Sequence, residues 1–122
     1  MVADPPRARA RGDRGERRVN GAPVPLEEEE IADRLAELPG WQREGGEIRR
    51  AYTHTWHECV HLMVYVAAKA REVSHHPDMH LTWQRIEFRI TTHDAGGKLT
   101  AADFELAADI DSIAAAAGAR PV

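Results

Sequence analysis

Two groups of residues in this chain are of types and spacings that could do chemistry. HECVH, residues 57–61, has the form His-Glu-x-x-His. On a helix, His57 and His61 would share a face and could hold zinc, with Glu58 as general base. The second group is His75, His76 and His93. Histidine titrates near pH 6.5, at roughly its unperturbed pKa, so such side chains can give and take protons near neutrality. The plain alternative for each is a surface or capping histidine. A zinc site from His75, His76 and His80 is disfavoured, since adjacent histidines point differently and no Cys or Asp completes a tetrahedron.

The elements around HECVH decide how it reads. Thr55 suits the N-cap of a helix running to about Val73. At 100° per residue, Trp56, Cys59, Val60, Met63, Val66, Ala67, Ala70 and Val73 gather on one stripe, the expected core face. His57 and His61 then lie on the flank of that stripe, and Glu58 lies almost opposite it. An extended zinc motif would also need Gly at 64 and His at 67, where this chain has Val64 and Ala67. HECVH is therefore expected to be a solvated helix face without a metal.

The remaining pattern predicts six more elements. Pro25 suits a first helical position, four glutamates follow where the helix dipole favours them, and Pro39-Gly40 ends that helix. GWQREGGEIRRAYTH predicts a hairpin turning at Gly45-Gly46. After the long helix, Pro77 blocks further helix and a second hairpin follows. Leu81–Trp83 is its first strand, Gln84-Arg85 its turn, and Ile86, Phe88 and Ile90 its buried alternation. Thr100 and Asp103 have the spacing of a capping box opening a last helix to about Ala117. The order α-β-β-α-β-β-α implies an α+β fold, a four-stranded antiparallel sheet with helices packed on one face.

Residues 1–24 hold six arginines with Pro, Gly and Ala and little to bury, which predicts a disordered tail before a domain spanning 25–120. The 122 residues suit one core. A net charge of -4 without a basic stripe in the domain argues against nucleic acid. No apolar run approaches the roughly 20 residues of a membrane span, and the N-terminus has no secretory apolar segment. The lone Cys59 allows no internal disulfide and suits a reducing cytoplasm.

The stretch HHPDMHLTWQRIEFRITTHDAGGKLTAADFELAADID resembles the pterin-4a-carbinolamine dehydratases, also called dimerisation cofactors of a homeodomain transcription factor. That family's pattern is His-His-Pro, an aromatic, a His and an Asp, met here by His75-His76-Pro77, Trp83, His93 and Asp103. The preceding LPGW and AKAREVS are also similar, so the resemblance covers about residues 26–117. Arg71 stands where the family more often carries an acidic residue, and Lys98 lengthens the loop between Gly97 and Leu99.

The resemblance implies dehydration of a 4a-hydroxytetrahydropterin to quinonoid dihydropterin, with no metal and no other cofactor. It implies His75, His76 and His93 as catalytic residues. The pterin-contacting segments it implies are His75, His76 and Pro77 on one side and Thr92, His93, Asp94 and Ala95 on the other. A small-molecule pterin is then the expected partner, with no nucleic acid and no membrane, a homo-oligomer (dimer or tetramer) as the assembly, and an aromatic amino-acid hydroxylase as a functionally coupled enzyme. The competing class is a non-catalytic relative that binds or assembles.

Overall fold

The computed structural model describes residues 17–19 and 21–122. A small hairpin, β1 (Arg18–Val19) and β2 (Ala22–Pro23), leads into helix α1 (Glu28–Ala36). Strands β3 (Gln42–Glu44) and β4 (Glu47–Thr53) follow, then the long helix α2 (Trp56–Val73). The second half repeats this plan with β5 (Asp78–Thr82), β6 (Arg85–Ile90), a 3-10 turn at His93–Ala95, α3 (Ala101–Ala116) and β7 (Arg120–Pro121).

The main sheet has the order β3-β4-β6-β5 and is antiparallel, with β7 added beside β4. The α+β class and the expected order hold. The fifth strand arises because β3 pairs only with Glu47–Arg49, leaving the far end of that edge of β4 open. After α3 the chain returns along it, placing Pro121 opposite Tyr52 and Arg120 opposite Thr53.

Most of the expected tail, residues 1–16 and 20, lies outside the described residues. Its last described part closes into the β1–β2 hairpin, tied by Val24 N–H donating to Arg17 O at 2.8 Å. Pro25 stands before α1 rather than at its first position. The Leu26 N–H donates to Leu99 O at 2.9 Å, so this stretch is a tie to the loop before α3, and the helix starts only at Glu28. The acidic first turn, Glu28 to Glu30, is as expected.

Helix α2 begins and ends where the sequence predicts. The Thr55 hydroxyl accepts from Glu58 N–H at 3.2 Å, and Ser74 leaves the helix in the left-handed region at φ 55°. Its buried face is rotated from the predicted stripe. The buried residues are Cys59, Leu62, Val66, Ala70 and Val73, while Trp56 is 39% exposed and Ala67 is exposed. Leu62, outside the predicted stripe, is central to the core. Two overlapping apolar stripes run along this helix, and the one that includes Trp56 and Val64 faces outward.

In β6, Ile86, Phe88 and Ile90 are fully buried beneath the helices, and Arg85, Glu87 and Arg89 form the opposite, charged face. The hairpin before it starts earlier than predicted, at Asp78, and turns on Trp83-Gln84, with Gln84 in the left-handed region at φ 56°.

One polar node anchors α3 to the sheet. Asp111 Oδ1 accepts from Trp41 Nε1 at 3.0 Å, from Arg50 Nη1 at 2.9 Å and from the Tyr52 hydroxyl. The Arg50 guanidinium lies over the Tyr52 ring and fills the space beside Gly40, where a Cβ would come within 2.6 Å of it. Burial, and then the Asp111 carboxylate, push the Tyr52 hydroxyl far above the ordinary tyrosine range. The folded state thus keeps a proton that the unfolded chain loses near pH 10, so Tyr52 stabilises the fold below that pH and this contribution falls as pH rises further. Chemical denaturation of wild type between about pH 10 and 11 should show stability falling by up to about 1.4 kcal/mol per pH unit from this group. The Tyr52→Phe variant should lack that component.

Candidate active site

Each predicted site residue has a definite place. His75 lies one residue past the left-handed Ser74, where the chain leaves α2, and its N–H still donates to Ala70 O at 3.1 Å. His76 is exposed, and Pro77 is buried at the entry to β5. On the other segment Thr92 is buried, at 3% exposure, whereas His93 and Asp94 are exposed in the 3-10 turn and Ala95 is partly covered.

One carboxylate joins the two segments. His75 Nε2 is 2.6 Å from Asp103 Oδ1. Asp103 Oδ2 accepts from the Thr92 hydroxyl and from Thr100 N–H, each at 2.8 Å. The Thr92 and Thr100 hydroxyls are themselves 2.8 Å apart. Asp103 and Thr100 are fully buried, so this network is shielded from water and its members hold one another in place. It brings His75 and Thr92 onto a single side chain in the first turn of α3.

Asp103 is the functional candidate that reasoning from the residues placed only partly. Its spacing to Thr100 marks a capping box, which is present. The family pattern also contains it. Neither signal says that its other oxygen reaches a histidine 28 residues earlier in the chain. Arg71 stands where an acidic support for His75 would be expected, and the support comes instead from Asp103.

The 3-10 turn is fixed from a second side. The Thr91 hydroxyl donates to Gly46 O at 2.5 Å, and a Cβ on Gly46 would stand 1.9 Å from Gly97 O. The β3–β4 turn and the loop carrying His93 therefore meet backbone to backbone, a contact only glycine permits at position 46. Lys98, the additional loop residue, closes this turn by accepting from Thr92 N–H at 3.3 Å, with Gly96 and Gly97 both left-handed.

HECVH stands apart from this network. His57 and His61 are exposed on α2; His61 Nδ1 is 3.3 Å from Glu58 Oε1, and His57 packs edge-on against Trp56. Among the described residues no three His, Cys, Asp or Glu side chains are grouped as a metal site. No helix among them is long and apolar enough to cross a membrane.

Residues 24–113 match the family model described as pterin 4 alpha carbinolamine dehydratase. A Roseiflexus castenholzii protein provisionally named pterin-4-alpha-carbinolamine dehydratase is 43% identical over 89 residues, covering 72% of this chain and 95% of the relative. A Streptomyces avermitilis protein with the same provisional name is 38% identical over 96 residues, 78% of this chain and 95% of its own length. Among solved structures, a transcriptional coactivator/pterin dehydratase from Brucella melitensis aligns with a TM-score of 0.70 at 26% identity. That alignment covers 75% of this chain and 99% of the other.

Proposed function

The chain belongs to the pterin 4 alpha carbinolamine dehydratase family, and from that membership we propose that it dehydrates a 4a-hydroxytetrahydropterin, of the 4a-hydroxytetrahydrobiopterin type. The C4a–O bond breaks and the hydroxyl leaves with a proton as water. The neighbouring ring nitrogen loses its proton, and a C=N bond forms to give the quinonoid dihydropterin. The step needs one group to deliver a proton, one to remove a proton and a surface that orients a flat ring. His75 and His93 are assigned the proton transfers and His76 assists or binds. Pro77, Thr92, Asp94 and Ala95 complete the contacts with the ring.

The observation that carries this reading is the Asp103 carboxylate shared by His75 and Thr92. It draws the helix-end histidine and the turn bearing His93 to one place from distant parts of the chain. The chemistry requires no metal or redox group. A cytoplasmic, oligomeric enzyme that follows an aromatic amino-acid hydroxylase fits this reaction. The outward-facing Trp56 and Val64 of α2 offer the apolar surface that an oligomer needs.

The second reading is a non-catalytic binding or assembly protein. The coactivator name of the Brucella melitensis relative and the same apolar flank of α2 favour it. The two part in one assay, the dehydration of a freshly generated 4a-hydroxytetrahydropterin followed by absorbance. Acceleration proportional to protein concentration supports the enzyme. Pterin binding without acceleration supports the alternative.

A further inference from the structure

A histidine that transfers a proton must present one particular ring nitrogen to its substrate, and the surroundings of His75 decide which. Its Nε2 faces Asp103 Oδ1 at 2.6 Å, with the Asp103 side chain wholly buried and that of His75 15% exposed. The other carboxylate oxygen already accepts from Thr92 and from Thr100 N–H. An ionised carboxylate is an acceptor only, so with Asp103 ionised the hydrogen between it and His75 sits on Nε2. That holds for the neutral ring and for the imidazolium alike. Nδ1 is then the nitrogen left to take up or release a proton. A helix cap needs only the oxygen that meets Thr100 N–H; the burial of Oδ1 against an imidazole goes beyond capping.

We propose that Asp103 is a positioning residue for the dehydration: it holds His75 in the Nε2–H form, so that proton exchange with the pterin runs through Nδ1. Through Oδ2 and Thr92 it also sets the turn of His93 relative to His75. The His93 ring, by contrast, is exposed and makes no hydrogen bond to another described residue. The two histidines therefore differ in kind, one held by the protein and one oriented by what it binds. This role in turnover rests on the dehydratase reading; the orientation of His75 does not.

The tautomer is read directly by 15N NMR of the His75 imidazole in the ligand-free wild-type protein at a pH where the ring is neutral. The expected pattern is a protonated Nε2 and a bare Nδ1; a neutral Nδ1–H form overturns the proposal. This needs no variant, so it stays decisive if Asp103→Asn fails to fold. In a folded Asp103→Asn protein the amide can keep its oxygen on Thr100 and turn its NH₂ to His75, which favours the opposite tautomer. The expected result is a shift of the NMR pattern to Nδ1–H, with kcat reduced by roughly 10²-fold or more and KM changed far less. Asp111→Asn, which weakens the remote anchor of the same helix, should leave the tautomer and kcat unchanged. Full kcat in Asp103→Asn with the tautomer reversed overturns the positioning role. If the wild type binds pterin without turnover, the dehydratase reading fails, and the NMR result still decides how Asp103 holds His75.

Discussion

Replacing His75 or His93 by alanine is expected to lower the dehydration rate by roughly 10² to 10⁴, the usual contribution of one acid-base group. Each variant should fold, because His93 is exposed and His75 contributes a single side-chain hydrogen bond, although its loss leaves Asp103 Oδ1 without its partner. The double variant should lose less than the product of the two single losses, since both residues serve one proton path. A bound dihydropterin should survive His93→Ala better than turnover does, because proton transfer matters most in the transition state. His57→Ala and His61→Ala, on the exposed flank of α2, should leave the rate nearly unchanged. Steady-state kinetics of these five variants beside wild type make the check. Full activity in both single active-site variants would move the weight to the binding-protein reading.

The largest stability effect is expected at Asp111. Its Oδ1 accepts from Trp41, Arg50 and Tyr52, so truncation to alanine strands three donors at once. Tyr52 is buried, and the Arg50 side chain is only 15% exposed. An unpaired buried donor costs about 1–3 kcal/mol, more when charged, but Asp111 itself is 27% exposed and water can enter. The net loss expected for Asp111→Ala is about 2–4 kcal/mol, or a fall in Tm of roughly 10 °C for a domain of this size. Thermal unfolding followed by circular dichroism measures it. A change below about 0.5 kcal/mol would show that the node is a surface pair without structural weight.

What the sequence made legible was mostly local. Thr55 and Ser74 bound α2 because capping acts over three or four residues, and Thr100 with Asp103 opens α3 for the same reason. The alternation of Ile86, Phe88 and Ile90 identifies a buried strand by itself. The face of α2 was legible in part: Cys59, Val66, Ala70 and Val73 are buried as predicted, but Leu62 was missed and Trp56 and Ala67 were wrongly included. More than half of the helix residues are apolar, and the choice of Leu62 over Trp56 is made by the long-range packing around the helix. Strand β7 was hidden because two residues ending in Pro121 carry no alternation, and only an open stretch of β4 recruits them.

The candidate site divides in the same way. Its histidines were conspicuous by type and spacing, and the family pattern named the two segments. The link between the segments, Asp103, was visible as a cap and as a position of the family pattern, and neither says what its other oxygen meets. Whether a side chain 28 residues away meets its second oxygen is settled by the packing of α3 against α2. The meeting of Gly46 with Gly97 is a contact of the same long-range kind, between two turns that each looked like ordinary glycine turns.

The most direct test is to locate a bound dihydropterin on the protein, by a crystal structure of the complex or by chemical-shift changes on titration. The ring should lie between His75–Pro77 and Thr92–Ala95, within hydrogen-bonding reach of His75 Nδ1. A dihydropterin seated elsewhere, for instance in the cleft of about 600 Å³ beside the exposed Trp83 and Arg120, would contradict it.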